Sequence, residues 1–597
     1  MLYKIMASES SAPVETETLS VDEWYAKGVK HEEGYELLRA EQCFQNAIKI
    51  QPDHAPSCEG LAKVALGLRQ VVTAIENYAK AVSIDPDNIE YKRKFTHYAQ
   101  LYEVAKPNDN LKQAVLLSMQ TPGIDHFPLS RLWMSLLAVE PAFQPLFQVS
   151  ESDDYDAFLK VFEEIEDRAF FTSEFFIKSL QYMVAYHRNF EHAFMNLRRL
   201  LLDDLTKDTP YFNADDATTI ASALAQYCFF VEYILPETAE ETNAIEGITK
   251  QATNGKANGQ QLAVLGCYRP LGTIDGIDAK AFNTPALKTL KHVHIDEIED
   301  LQKRAKNIPE MTPIENKVSQ EVQAMYEHAP YPRWRGYSTE YKHDKYEGED
   351  VAKDGEILVA GCGTGQDAIE MAAKYPSAQI TAIDLSLSSL SYAVKKAEEF
   401  GIENITFGHG DILNLESLDK QFDFIISNGV LHHMEEPEKG LAVLNNMLKP
   451  GGTMRLALYS KVARKSVIRA QELIKQEGYG NDDASILKFR ADIDDLMGTQ
   501  DLAFILKIRD YYSLAECRDL LFHVQEHNLE LREIGAMLKR QKLKFLGFYQ
   551  PAPVLFKYKV RNLWDLKSRS LRGWTRFEHK NPETFAGMYI FWAQKKK

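Results

Sequence analysis

The sequence lacks the features that mark secreted, thiolate-metal and membrane-spanning proteins. Its six cysteines include no C-x-x-C pair, which predicts neither a disulfide framework nor a zinc site built from thiolates. It contains no uninterrupted apolar run of about 18 residues, the length that a membrane-spanning helix needs. Residues 1–19 have no signal-like apolar core and are predicted to be a disordered tail. Together these absences predict a cytoplasmic protein.

Basic residues are in the minority. The chain has 69 Lys and Arg against 86 Asp and Glu, a formal net charge of -17 at pH 7. This surplus of negative charge argues against a protein that coats nucleic acid or an anionic membrane over its whole surface. The 597 residues are too many for one core, since domains usually hold roughly 100–200 residues, and several domains are predicted.

The first part of the chain repeats itself at an offset of 34 residues. The residues that recur are Gly28, Ala40, Phe44, Ala47 and Pro52, matched by Ala62, Ala74, Tyr78, Ala81 and Pro86. Small residues let antiparallel helices approach, an aromatic ring fills the space between them, and proline ends the second helix. This pattern resembles the tetratricopeptide repeat. Residues 20–122 are therefore predicted to be a repeat domain that docks a partner peptide, the alternative being an ordinary pair of helical hairpins.

The region 123–310 has helical apolar periodicity but no chemical motif, and it is predicted to be a helical middle domain. From 311 to 597 the pattern changes to strands alternating with helices, as in EILVAG, AQITAID, NITFGHGD, FDFIISNG and GTMRLALY. Such alternation predicts a doubly wound parallel sheet, which binds ligands at the carboxyl ends of its strands. A helical insertion is expected over 461–540, after the fifth strand.

Glycines and carboxylates follow these strands. Gly361, Gly363 and Gly365 come after the first strand, but Gln366 occupies the position where a dinucleotide fingerprint needs its third glycine. Asp384 closes the second strand, where a carboxylate accepts hydrogen bonds from ribose hydroxyls. Asp411 closes the third strand, where it would accept from an adenine amine while Ile412 contacts the ring.

These segments, with SNGVLHHM and LKPGG, resemble those of class I S-adenosylmethionine-dependent methyltransferases. The resemblance implies a Rossmann-like seven-stranded sheet with a reversed last strand, for which LKFLGFY and GMYIFWAQ are the candidate strands six and seven. It implies S-adenosylmethionine as cofactor, with the glycine backbone left bare so that the methionine part lies against it. The residues that it assigns to the cofactor are Gly361, Gly363, Gly365, Gln366, Asp384, Leu385, Asp411, Ile412 and Asn428.

Two further segments resemble a bacterial group that joins tetratricopeptide repeats to a methyltransferase: AMYEHAPYPRW and CRDLLFHVQEH. In the first, Tyr326 and Arg333 are expected to cover the cofactor, with Arg333 near its carboxylate. The alternative is an aromatic segment that only packs on the sheet.

Histidines supply the candidate catalytic groups. His432 and His433 follow the fourth strand and could exchange protons near neutral pH, although histidines in such loops are often structural. His523, Glu526 and His527 are expected over the substrate pocket, with a capping or core role as the alternative. HVQEH also matches a zinc-protease pattern, in which a helix would place His523 and His527 on one face. A complete methyl-donor site beside it argues against that interpretation, and no metal is predicted.

The connection 550–586 reverses the sign of the local charge. It carries Lys557, Lys559, Arg561, Lys567, Arg569, Arg572, Arg576 and Lys580, interleaved with Trp564, Trp574 and Phe577. This composition suits an acidic protein segment or RNA, the alternative being a solvated basic face.

The sequence thus predicts a methyltransferase whose acceptor is a protein recruited by the repeats. A small-molecule or RNA methyltransferase, and a binding scaffold with an inactive methyltransferase domain, remain as alternatives. No membrane is expected among the partners, and a nucleic acid is not favoured.

Overall fold

The computed structural model describes residues 19–327, 330–337, 354–497 and 502–597. Almost all of the predicted tail 1–19, and two residues of the AMYEHAPYPRW segment, lie outside these ranges. The chain folds into two compact units, one formed by residues up to Thr121 with Phe127–Val139, the other by Pro122–His126 with Glu140–Lys597. The helices after 140 thus belong to the same unit as the sheet, while the predicted boundaries at 122 and 310 stay predictions.

The first unit is all helical. Its helices are α1 (Val21–Glu33), α2 (Leu37–Ile50), α3 (Ala55–Gly67), α4 (Val71–Ile84), α5 (Ile89–Ala99), α6 (Asp109–Met119) and α7 (Ser130–Ala138). The small and aromatic residues that recur at 34 residues are all buried in it. Phe44 on α2 shows why the positions must be small, because a Cβ at Gly28 on α1 or at Gly60 on α3 would lie 2.6 Å from its ring.

The second unit begins with a helical layer. Its helices are α8 (Gln144–Val149), α9 (Tyr155–Glu163), α10 (Glu174–Tyr182), α11 (Arg188–Asp204), α12 (Ala214–Phe230), α13 (Ala239–Thr253), α14 (Gly259–Gly266), α15 (Pro285–Lys291), α16 (Glu297–Ala305) and α17 (Lys317–Tyr326). No helix in the described ranges has the length and apolarity to cross a bilayer. All six cysteines lie in those ranges, buried and unbridged.

Seven strands follow in one mixed sheet. They are β1 (Glu356–Ala360), β2 (Gln379–Asp384), β3 (Ile405–His409), β4 (Phe422–Asn428), β5 (Leu448–Leu458), β6 (Leu543–Phe548) and β7 (Tyr589–Lys595). Their order is β3-β2-β1-β4-β5-β7-β6. Among these strands β7 alone runs against its neighbours, β5 and β6, as predicted. The prediction of a seven-stranded sheet with a reversed last strand is confirmed.

Helices cover both faces of the sheet. Those of this region are α18 (Gln366–Lys374), α19 (Leu387–Glu399), α20 (Pro437–Met447), α21 (Lys465–Glu477), α22 (Asp483–Met497), α23 (Leu514–Leu521), α24 (Leu531–Arg540), α25 (Ala552–Arg561) and α26 (Leu571–Lys580). Successive strand residues point to opposite faces, so Leu358 and Ile425 enter one core cluster while Ile357 and Phe424 enter the other. Burial on both faces explains why the strands read as continuous apolar runs.

Between β5 and β6 the chain forms α21 to α24, and α23 ends at Leu521. HVQEH is therefore a loop, so the helix that the zinc-protease interpretation requires is not formed.

Replacing Gly60 by Ala should destabilise the first unit. The new Cβ would meet the Phe44 ring, which Gly28 blocks on its other side, and overpacking of this kind costs about 1–3 kcal/mol. That cost exceeds the gain of about 1 kcal/mol that alanine brings to a helix. Hydrogen exchange across α1 to α4 measures the change.

The matched control is Gly247→Ala on α13, where nothing lies within 4 Å of an added Cβ and exchange should slow. Slower exchange in Gly60→Ala as well would contradict the packing argument.

Candidate functional site

The glycine loop bends the chain sharply after β1. Gly361, Gly363 and Gly365 have φ of +74°, +51° and +83°, a region that side chains with a Cβ disfavour. A Cβ at Gly361 would also lie 2.4 Å from Val430, and one at Gly365 would lie 2.6 Å from Ala393. At two of the three positions, Gly361 and Gly365, packing within the protein therefore also requires glycine. Gly365 directly precedes α18 and is not among the residues that line the cavity, so its assignment to the cofactor stays a prediction.

Asp384 ties this loop to the end of β2. Its Oδ2 accepts the Gly363 N–H at 2.7 Å, and its Oδ1 accepts the Ser386 N–H at 2.9 Å. Burial raises the pKa of Asp384, while these backbone donors oppose the rise. Each carboxylate oxygen keeps a second lone pair, and these are the acceptors that two ribose hydroxyls require.

Two polar atoms near the strand ends are buried without a described partner. Asp411 Oδ1 accepts the Leu413 N–H at 2.9 Å, but Asp411 Oδ2 has no partner among the described residues. Asn428 donates to Asp367 at 2.8 Å and leaves its own oxygen unpaired there. An unpaired buried acceptor is costly, so both atoms fit a site that a ligand with hydrogen-bond donors completes.

These residues surround one cavity of about 410 Å³, within the range of small-molecule sites. The predicted cofactor residues that line it are Tyr326, Gly361, Gly363, Gln366, Asp384, Leu385, Asp411, Ile412 and Asn428. The glycine turn, the Asp384 acceptors and the unpaired Asp411 oxygen fit a nucleoside with an amino-acid tail.

Among the cofactor predictions, Arg333 also lies outside the lining of this cavity. Its guanidinium lies 4.6 Å above the Phe229 ring, and the residue lines a second cavity together with Glu232. The helical layer thus supplies both an aromatic face and a carboxylate to this cation. The position of the Arg333 side chain does not support the expectation that it lies near the cofactor carboxylate.

The two histidines after β4 differ in environment. His432 is fully buried outside the cavity lining, its ring nitrogens have no described partner, and burial lowers its pKa well below 6.5. His432 is therefore not suited to the proton-exchanging role that the sequence analysis offered for it. His433 does line the cavity. Its Nδ1 lies 3.0 Å from the Gln525 carbonyl, which only accepts, so Nδ1 carries the proton and Nε2 is the acceptor.

His523 belongs to a hydrogen-bonded chain beside His433. Its Nδ1 accepts the Gln525 N–H at 3.1 Å, which places the ring proton on Nε2, 3.2 Å from the Tyr326 hydroxyl. The hydroxyl in turn donates to Asp519. The His523 ring stacks on His433 with centroids 3.7 Å apart, and burial lowers its pKa well below 6.5. His523 is thus a neutral positioning group and not a residue of the cavity wall.

Glu526 and His527 are not where the sequence placed them. Glu526 pairs with Arg464 at 2.9 Å in a buried ion pair and also accepts from Asn528 at 2.8 Å. His527 lies 2.9 Å from the Gln525 amide nitrogen and 3.2 Å from the Glu435 carbonyl. Neither lines the cavity, so both serve the fold of the loop, and this corrects their assignment as catalytic residues.

One group of side chains in the described ranges has spacing suitable for a metal ion. His433, Asp519 and His523 each bring a ligand atom within 4.8 Å of the others. A metal on His523 Nε2 would need that nitrogen deprotonated while Nδ1 still accepts the Gln525 N–H, and a neutral imidazole has only one free lone pair. The hydrogen-bond pattern therefore favours a proton at this position over a metal.

The sequence analysis missed several cavity residues, among them Tyr459 and Asp519. Tyr459 directly follows β5, so its place at the carboxyl end of a strand was a usable signal. Asp519 lies on α23 within the segment singled out for its histidines, and only the fold reveals that it points to the cavity.

Comparison with known proteins agrees with this site. A family described as "Methyltransferase domain" matches residues 352–495, less than half of the chain. A Synechococcus protein of unassigned function is 29% identical over 256 residues, covering 39% of this chain and 60% of its own. A malonyl-[acyl-carrier protein] O-methyltransferase of Priestia megaterium is 35% identical over 103 residues, covering 17% of this chain and 36% of its own.

Among solved structures, PKMT2 from Rickettsia typhi in complex with AdoHcy aligns with 17% identity and a TM-score of 0.30, covering 46% of this chain and 52% of its own. That score is too low to carry an argument. This chain spans 60% or less of the length of the curated relatives named above. The family match and the site geometry place a class I methyltransferase domain in the second unit, and S-adenosylmethionine is its cofactor.

Replacing Asp384 by Asn should weaken S-adenosylmethionine binding by about 1.5–3 kcal/mol, because hydrogen bonds to a charged acceptor are lost. Isothermal titration calorimetry measures the change. The matched control is Asp423→Asn at the amino end of β4, where the carboxylate also accepts a backbone N–H, from Glu356 at 2.9 Å. Equal affinities in both variants would remove the ribose assignment.

The protein should purify without stoichiometric zinc, because His523 Nε2 holds a proton. Elemental analysis checks this. About one zinc per chain that is lost in His523→Ala and kept in His527→Ala would establish the metal site instead.

Proposed function

We propose that the protein is an S-adenosylmethionine-dependent methyltransferase whose acceptor is a side-chain nitrogen of another protein. The observation that best supports this acceptor chemistry is the composition of one cavity. Asp519, His433 and Tyr459 line it together with the cofactor residues Gly363 and Asp384. Methyl donor and acceptor groups would therefore meet in one cavity.

A protonated amine suits these polar atoms. The Asp519 carboxylate, which accepts the Tyr326 hydroxyl, attracts a cation, and the tyrosine rings offer faces that cations favour. Burial beside Tyr326 and Tyr459 opposes this attraction by disfavouring the charged form of the amine, so its proton is easier to remove than beside the carboxylate alone. A neutral hydroxyl acceptor would be attracted much less by the Asp519 charge and the tyrosine rings.

His433 is the proposed proton acceptor. Its Nδ1–H is held by the Gln525 carbonyl, so an ammonium group in the cavity would give its proton to Nε2 and become a neutral nucleophile. When bound, S-adenosylmethionine supplies an electrophilic methyl group. Stacking on the neutral His523 ring holds the His433 ring in orientation, and the cavity walls position the amine and exclude water.

The first unit supports a polypeptide acceptor. Its 34-residue period, with Phe44 buried between small residues of neighbouring helices, suits a tetratricopeptide stack, and such stacks bind extended or helical peptides. In this proposal the unit recruits the protein that the second unit methylates. An oxygen acceptor is the second candidate, because the similar protein of Priestia megaterium is named an O-methyltransferase.

Incubation of the full chain with a bacterial lysate and methyl-labelled S-adenosylmethionine tests the proposal. Label is expected in protein and should survive alkali, since N-methyl groups are stable where methyl esters are hydrolysed. His433→Ala should lower kcat at least about 100-fold while calorimetry finds unchanged cofactor affinity. His527→Ala, which alters a neighbouring histidine outside the cavity, is the matched control and should retain kcat.

Other outcomes would replace the proposal. Alkali-labile label would identify an oxygen acceptor, and label confined to metabolites or RNA would remove the protein acceptor. Cofactor binding without any transfer would favour a scaffold with an inactive domain. Unchanged kcat in His433→Ala would remove the proton acceptor.

A further inference from the structure

The connection between β6 and β7 exposes a run of apolar side chains. Phe556, Val560, Leu563, Trp564 and Leu566 each leave between 55% and 74% of their surface accessible. Scattered exposed apolar residues are ordinary, but these five are concentrated within residues 556–566. We call these five side chains the apolar ridge. Such high exposure means that they protrude and do not line a groove.

The ridge is held in place by buried contacts. Tyr558, between Phe556 and Val560, is fully buried and stacks on Trp574 with centroids 3.9 Å apart. Its hydroxyl donates to Asp565 at 2.7 Å, and the Asp565 carboxylate also accepts the Ser570 N–H at 2.8 Å. Because α25 and the following turn are fixed on their inner side, exposure of the outer side is a property of the folded protein.

Basic residues flank the ridge on both sides. Phe556 and Val560 are four residues apart and share one face of α25. At 3.6 residues per turn, Lys557 and Arg561 fall on one side of that stripe and Lys559 on the other. Residues 552–572 contain six basic residues against a single acidic one, Asp565, in a chain of net charge -17.

Two of the three aromatic residues that the sequence analysis singled out as suited to RNA are buried. Trp574 and Phe577 are buried in the core, so the exposed aromatic rings of the segment are those of Trp564 and Phe556, which are eight residues apart. Base stacking needs exposed ring faces in succession. An acidic peptide would explain the lysines but would leave Phe556, Leu563 and Leu566 in water.

We propose that the apolar ridge and its basic flanks dock the protein on an anionic lipid surface. A helix that lies in a membrane interface has Trp, Phe and Leu on the buried side and Lys or Arg beside them, whose stems lie along lipid while their charges reach the headgroups. Phe556 and Val560 on α25, with Leu563, Trp564 and Leu566 in the turn that follows it, have that composition, and the charge is complementary to anionic headgroups. The docking surface is independent of the proposed acceptor chemistry, and it differs from the sequence-based expectation of no membrane partner.

Sedimentation of the full chain with vesicles tests the proposal. The protein should bind vesicles of equal parts phosphatidylglycerol and phosphatidylcholine, bind pure phosphatidylcholine much more weakly, and dissociate as salt is raised. Replacing Lys557, Lys559 and Lys567 by Gln should lower the partition coefficient about 100-fold, since each basic residue contributes about fivefold near such a surface. Replacing Leu563, Trp564 and Leu566 by Ser should lower it at least about tenfold.

Matched controls carry the same changes elsewhere. Leu38, Ile50 and Leu101 are exposed apolar residues of the first unit, and their replacement by Ser should leave binding unchanged. Lys303, Lys317 and Lys439 are exposed lysines of the second unit, and their replacement by Gln removes the same charge from other surfaces.

A direct readout of insertion uses brominated lipid. Trp564→Phe should keep vesicle binding but lose the part of the tryptophan quenching that comes from this residue. The proposal would be overturned if the tryptophan quenching were unchanged in Trp564→Phe. It would also be overturned if the triple Gln and triple Ser variants both bound vesicles as well as the wild type. Binding to polyglutamate or RNA without binding to anionic vesicles would overturn it in favour of those partners.

Discussion

The carboxylate of Asp384 holds together the edge of the sheet on which the site depends. It accepts the N–H of Gly363 from the loop after β1 and the N–H of Ser386 from the start of α19, so it joins the ends of two neighbouring strands. The loop returns the interaction, because Gly361 and Cys362 both donate to the Ile383 carbonyl on β2. A left-handed turn at Gly363 is needed to bring its N–H to the carboxylate. This part of the cavity wall is thus built from backbone groups that hydrogen bonds to the Asp384 carboxylate hold in place.

The part of the cavity lined by Tyr326, His433 and Asp519 depends on the burial of polar groups. His523 and His433 stack closely, so two positive rings there would repel each other, and burial keeps the His523 pKa low. Burial also raises the Tyr326 pKa well above 10, with the Asp519 charge adding to the rise, so the phenol stays a donor to Asp519. Each group has a fixed donor or acceptor role because its partner allows only one. A network satisfied in this way is rigid, which is what positioning of an acceptor requires.

The sequence predicts those features of the site that depend on residues close together along the chain. The strands, the glycine turn, Asp384 and Asp411 follow from local patterns, since the carboxyl ends of parallel strands must meet at one edge. The predictions for Glu526 and Arg333 failed because contacts with residues distant along the chain determine where these side chains lie. Glu526 is neutralised by Arg464, 62 residues earlier, and Arg333 is drawn to Phe229 on the helical layer. Asp519 reaches the cavity only because the insertion after β5 folds back over it, which no spacing reveals.

The topology of the sheet relates the cavity to the apolar ridge. Since β6 runs parallel to β5 and β7 runs against both, the chain leaves β6 and enters β7 at the edge where β1 to β5 end. The connection between them therefore carries the ridge at the same edge as the cavity, and Met588 at its end lines the cavity itself. An enzyme docked through Leu563 and Trp564 would hold its cofactor edge toward the lipid. The acceptor residues within reach would then be those of proteins at that surface, which narrows the search for the substrate on geometric grounds alone.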